Sequence, residues 1–146
     1  MAMNRLRSER GVSLVEAALT IPMLLLIAVG IFEFGRAYQF WQVMTNAARE
    51  GARYSVTPAA TVANAQNVVV DYMRRGGLTD CDAACVAVDR GVALPTGSGS
   101  TITIAYPFRF IVLQPVANLV RGGPPASGNL SSLTMHATAT MRNEAP

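Results

Sequence analysis

Two groups of residues in this chain of 146 have the types and spacing that chemistry requires. The first is Gly11, Val12 and Glu16, at the start of a long apolar run. A glycine leaves its peptide bond unobstructed by a side chain, so a membrane protease could grip the Gly11–Val12 bond in extended form. Glu16 is a carboxyl placed where lipid is expected. It must take up a proton or find a cationic partner. A cut after Gly11 would create such a cation, the amine of Val12, at similar depth. Within one helix the amine and the carboxyl lie more than one turn apart, so a neighbouring copy's Val12 amine is the more natural partner. The alternative is a carboxyl that reaches the lipid interface with no partner at all.

The second group is Cys81 and Cys85, a C-x3-C pair with Asp82 between them. In an oxidising compartment this spacing suits a local disulfide, provided a turn or helix end brings the sulfurs together. The loop it closes is small, so its stabilising effect would be modest. Free thiols are the alternative. A metal site would need two further ligands, and only His136 and nearby acids are on offer. No metal and no cofactor is therefore expected. A Cys–His nucleophile pair is conceivable on composition, but the second cysteine favours a bridge. His136 lies on the polar side of its segment and reads as exposed. With no phosphate-binding loop and no hydrolase elbow in the sequence, no enzymatic activity is expected.

The elements that must hold these residues begin with an unusual composition. Hydrophobic residues make up 51% and charged residues only 14%, against about a quarter charged in soluble domains. All twelve basic residues are arginine, against nine acids. Arg5, Arg7 and Arg10, offset by Glu9, supply +2 of the net +3 within the first ten residues. The rest is close to neutral, which excludes the broad basic face of a nucleic-acid binder. From Val12 to Phe32 the only charge is Glu16. As a helix this stretch spans about 31 Å, one bilayer core. Its aliphatic and aromatic residues contribute roughly −4 to −8 kcal/mol to insertion, against about +3 for a central acid. The segment should insert, with the arginines retained in the cytoplasm and the chain beyond Phe34 on the far side. A cleaved secretory signal is the alternative, but its apolar core normally runs about 7–15 residues. Here the run is longer and continues as helix into Glu33–Tyr38. A buried core helix is excluded, because the remaining chain is too short to cover it on every side.

Helical periodicity persists to about Tyr54, with Phe34, Tyr38, Trp41, Thr45, Ala48 and Ala52 on one face. Glu33 with Arg36, and Glu50 with Arg53, read as solvated (i, i+3) pairs. Thr57-Pro58 should break this helix and start a second, with the proline near its first turn. Val62, Ala65, Val69 and Tyr72, with Met73, form the second helix's apolar stripe, and Gly76-Gly77 end it. The period then changes to two. Thr101–Tyr106 and Thr134–Met141 read as half-buried antiparallel strands, and Cys85–Val88 as a weaker third. Thr96–Ser100 and Arg121–Asn129 read as loops. The order gives an α+β fold, a long N-terminal transmembrane helix, a second amphipathic helix and a small antiparallel sheet of about three strands. The Ile102/Ile104/Tyr106 and Met135/Ala137/Ala139/Met141 faces should pack on the helices.

Arg10-Gly11-Val12-Ser13-Leu14-Val15-Glu16 resembles the class III signal of type IV prepilins, in which cleavage follows the glycine and the acid is the fifth residue beyond it. Ile31–Arg36, Asn46–Tyr54 and the closing Ala139–Glu144 are similar to the TadE-like pseudopilin family of tight-adherence (Flp) pilus systems. Close similarity covers roughly Arg10 to Val56. Ala17 departs from it, standing where pilins of this system usually carry an aromatic. The resemblance implies a type IV pilin-like layout and a minor pseudopilin of the bacterial inner membrane. Residues 1–11 would be a cytoplasmic leader, 12–34 a single transmembrane helix and 35–146 a periplasmic domain. It also implies cutting between Gly11 and Val12 by a prepilin peptidase, and subunit docking through Glu16. The partners would be other pilins and pseudopilins of the machinery and the lipid bilayer, with no nucleic acid. For the Arg49–Tyr54 stretch, packing on the protein's own sheet is favoured over a dedicated binding site. The rival to the whole reading is an uncleaved single-pass protein whose periplasmic domain binds an envelope partner.

Overall fold

A computed structural model describes residues 3–95, 97–112 and 133–143 of the chain. One unbroken helix, α1 (Met3–Ser55), dominates it; at about 1.5 Å per residue it is some 80 Å long. From Val12 to Phe32 its large apolar side chains are exposed on all sides, the state expected of a helix whose solvent is lipid. Pro22 lies inside it. Proline supplies no N–H, so one carbonyl a turn earlier goes without its helical donor. The Thr20 hydroxyl donates to the neighbouring Glu16 carbonyl.

From Glu33 onward the helix becomes one-sided. Glu33, Met44, Ala47, Ala48, Ala52 and Ser55 are buried, with Phe40 and Val43 packed beside them. This face is centred about a quarter turn from the stripe expected from the sequence. Phe34, Tyr38 and Trp41 of that stripe are exposed, whereas Ala48 and Ala52 are buried. The difference has a physical cause. Only the distal half of α1 is flanked by a second helix, so only there does the contact widen to take in the stripe.

That helix is α2 (Val62–Arg75). It starts later than Thr57-Pro58 suggested. Thr57 ends the turn after α1, its N–H and hydroxyl both donating to the Tyr54 carbonyl. Thr61 is the N-cap, accepting from the Asn64 N–H at 3.2 Å, because a threonine oxygen satisfies a free N–H that Pro58 could not. Ala65, Val69, Val70 and Met73 are its buried side, while Val62 is exposed. Gly76 caps the C-terminus, and Gly77 at φ +86° lets the Leu78 N–H reach back to the Met73 carbonyl, a Schellman-type closure that glycine makes without strain.

A 3-10 turn (Ala83–Cys85) leads into the sheet β1 (Val86–Leu94), β2 (Gly97–Phe108) and β3 (Leu133–Arg142). The strands are antiparallel in the order β1-β2-β3, giving the α+β layout expected. Cys85 belongs to the turn and not to the strand. Gly97–Ser100 are not loop but strand, Gly97 pairing with Leu94 and Ser100 with both Arg90 and Met141. The small polar residues that resemble a loop in sequence are needed for close approach. A side chain at Gly99 would strike Leu94 and the Met141 carbonyl, and buried Ser100 donates to Asn143 Oδ1 at 2.8 Å. Thr96 and the expected Arg121–Asn129 loop lie outside the described residues.

β2 descends along α1, antiparallel to it. Ile102 lies against Gly51. Tyr106 and Phe108 both meet Phe40 edge to face, with ring centroids 5.8 and 5.6 Å apart. The sheet's inner side (Ile102, Ile104, Tyr106 and Ala137 buried, Met135, Ala139 and Met141 partly so) closes the core as the alternation predicted.

Gly51 lies where α1, α2 and β2 meet: an added Cβ would strike Val69 Cγ2 and touch Ile102. Gly51→Ala should therefore destabilise the fold by about 1–3 kcal/mol through overpacking, despite alanine's better helix propensity. Thermal unfolding of the full chain in detergent tests this. An unchanged or raised midpoint would show that Val69 yields freely.

Candidate functional site

The site that stands out is one the sequence reading assigned to a solvated helix face. Glu33 and Arg36 are not solvated. Glu33 is 2% exposed, and its side chain lies against Arg36 at 3.4 Å. Its Oε1 accepts two backbone N–H groups, from Ile111 at 2.7 Å and Val112 at 2.6 Å. Arg36 completes the arrangement. Its Nη2 donates to the Arg109 carbonyl at 2.7 Å, and its guanidinium lies 4.9 Å from the Phe108 ring centroid and 5.6 Å from that of Phe40.

Each part answers a need of the others. A buried carboxylate is tolerable only when paired and hydrogen-bonded. Charge-assisted bonds from N–H to carboxylate are about twice as strong as neutral ones. Among the described residues no strand pairs with the segment Arg109–Val112 that follows β2, and Glu33 supplies the acceptor for its Ile111 and Val112 N–H groups. Among the described residues, the buried side-chain atoms left without a hydrogen bond are Glu33 Oε2 and Arg36 Nη1, which face each other as an ion pair. A signal for this was present in the sequence. Stepping back from Ala48 by turns of three and four gives Met44, Phe40, Arg36 and Glu33, so the acid lies on the buried face.

Beside this latch is a cleft of about 300 Å³ lined by Arg36, Phe40, Asp80, Tyr106, Arg109 and Ile111, among others. Tyr106 is buried there, and burial pushes its phenol above the ordinary value, with the nearby Asp80 carboxylate acting in the same direction. Arg109 and Arg36 oppose the shift more weakly. Elsewhere, Glu50 and Arg53 form the exposed pair expected, at 2.7 Å. The arginine's hydrogen bond holds the Glu50 carboxyl below its usual range.

The other residues singled out by sequence occupy two separate places. Gly11, Val12 and Glu16 lie on the exposed surface of α1. There the Gly11–Val12 bond is helical, so gripping it in extended form requires local unwinding, which is easiest at glycine. Cys81 and Cys85 come together as their spacing allows. Their Cα atoms are 5.7 Å apart and their sulfurs are in contact, because Asp82 caps the 3-10 turn between them through the Ala84 N–H at 3.0 Å. His136 is exposed on β3, in register with Ala105. Among the described residues no three His, Cys, Asp or Glu side chains converge on a common point. The small residues of the Arg49–Tyr54 stretch, Gly51 and Ala52, face inward while Arg49 and Arg53 are exposed, as the packing reading has it.

One described helix is long and apolar enough to cross a membrane, and its most apolar stretch is uncovered by the other described residues. With a small α+β head at its far end, it fits a single-pass membrane protein. Residues 11–53 match the family model described as TadE-like protein. That segment is similar to TadE-like proteins, and the sheet and α2 lie beyond the match. No curated protein and no solved structure matches the chain.

Two outcomes follow from the geometry. Glu33→Ala leaves two N–H groups and a guanidinium unpaired, a loss of about 3 kcal/mol or more for a broken buried pair. Hydrogen exchange of the Ile111 and Val112 amides should accelerate strongly while that of Ile102–Tyr106 changes little; equal protection in both proteins would refute the latch. In a spectrophotometric titration, one of the four tyrosines should ionise late, and Tyr106→Phe should remove that step. A raised phenol pKa means that its contribution to stability is complete below about pH 10 and is lost as pH rises through the folded-state value.

Proposed function

We propose that this chain is a minor pseudopilin, processed by a prepilin peptidase between Gly11 and Val12 and acting in assembly of a tight-adherence pilus rather than in catalysis. The observation that carries the reading is where the family match begins. It starts at Gly11 and takes in Val12 and Glu16, on a helix surface that the head leaves uncovered. Residues 12–34 hold the subunit in the inner membrane, with residues 1–11 cytoplasmic and 35–146 periplasmic. In that oxidising compartment Cys81 and Cys85 form a disulfide that fixes the entry to β1. Glu16 acts in docking. Its carboxylate takes the Val12 amine of a neighbouring subunit, which neutralises both charges within the bilayer.

Intact mass and N-terminal sequence of protein extracted from native membranes test the processing. A chain beginning at Val12 is expected. One still carrying Met1 or Ala2, with the peptidase present, would replace this reading by an uncleaved single-pass protein whose head binds an envelope partner. Glu16→Ala should insert and be cut normally yet fail to assemble, and normal piliation by that variant would remove the docking role.

A further inference from the structure

We propose that Arg109–Val112 is a second membrane contact, a short segment of the head that dips into the outer leaflet of the bilayer beside α1. The proposal rests on the single-pass reading of α1. Its geometry comes from the latch. Ile111 and Val112 are bonded to Glu33, and Glu33 directly precedes Phe34, the last residue of the apolar run. The segment therefore reaches the level at which the helix leaves the hydrocarbon. Arg109 is tied to Arg36, two residues beyond Phe34 and so about 3 Å higher, inside a headgroup layer about 5–8 Å deep on each side. The chain thus runs toward the membrane between Arg109 and Val112.

Three independent features suit lipid as the occupant. Ile111 is 61% exposed at a depth where an apolar side chain meets acyl chains instead of water. Arg109 is exposed at the height of the lipid phosphates, a favourable position for arginine. Finally, irregular backbone is admitted at membrane depth only where its polar groups are satisfied by protein. The two N–H groups that would otherwise enter the leaflet bare are those that Glu33 accepts. The exposed Phe34, Tyr38 and Trp41 continue the same interfacial zone along α1, as aromatic side chains do at membrane surfaces.

The chain has a single tryptophan, so Trp41→Phe gives a dark background for depth measurement. In that background, full-length Ile111→Trp and Leu25→Trp are placed in phosphatidylethanolamine–phosphatidylglycerol vesicles with and without brominated acyl chains. Blue-shifted emission and loss of intensity to the bromolipid are expected for both. Quenching of Ile111→Trp by acrylamide alone, with Leu25→Trp still quenched by bromolipid, would overturn the proposal and leave the span intact. Shielding of Ile111→Trp from both quenchers would overturn it in favour of a second copy or another subunit on this segment. An unquenched Leu25→Trp would remove the span itself, and the proposal with it. Should Ile111→Trp fail to fold, the Ile111 methyl resonances of the unsubstituted chain in nanodiscs decide. Broadening by a lipid-borne spin label is expected, and broadening only by a water-soluble one would refute the contact.

Discussion

Burial of the Glu33 carboxylate is the constraint to which the rest of the head is fitted. A carboxylate that is 2% exposed has little water to turn to, and the protein must provide its partners. Those partners arrive from the far side of the fold. β2 has to be long enough, and run in the right direction along α1, to carry Ile111 and Val112 down to Glu33. Phe40 and Phe108 fix the height of that descent, and Arg36 ties its last step through the Arg109 carbonyl. The register of the sheet follows, since a slip of one residue along β2 would exchange its inner and outer faces.

A second constraint is that α1 serves two solvents. Its first part is apolar on every side and makes no demand on the head. Its last part is apolar on one side and carries the core. The helix manages the change without a break, through the sizes of its inward residues. Next to the apolar run these are Phe40 and Met44; farther along they are Ala47, Ala48, Gly51 and Ala52. Phe40 meets the aromatic rings of β2, and Gly51 admits Val69 of α2 and Ile102 of β2 at close approach. The taper lets a small domain hold together, because the helix contributes one wall of the core along its whole distal length.

Much of this architecture was legible in the sequence because it rests on local pattern. The long apolar run, the strict alternation at Thr101–Tyr106 and Thr134–Met141, and the Gly76-Gly77 stop each state their structure within a few residues. What escaped were features set by partners distant in sequence. Phe34, Tyr38 and Trp41 form a stripe as regular as the true one, and only the position of the sheet decides which is buried. Gly97–Ser100 has loop composition and becomes strand because Leu94 and Met141 need room. Glu33 and Arg36 have the spacing of a surface pair, and their burial depends on a segment that follows them by more than seventy residues.

The two acids of the membrane helix make the final contrast. Glu33, at the end nearer the head, is answered within the chain by two amides and a guanidinium. Glu16, near the N-terminal end, is exposed, and among the described residues no side chain pairs with it. The same electrostatics govern both carboxyls. Where the chain supplies the partners, the acid organises its own fold. Where it does not, the acid must be met by a proton or by a cation brought from outside the chain. Among the described residues, the acid beside the head is held by the protein's own groups, and the acid near the N-terminus is not.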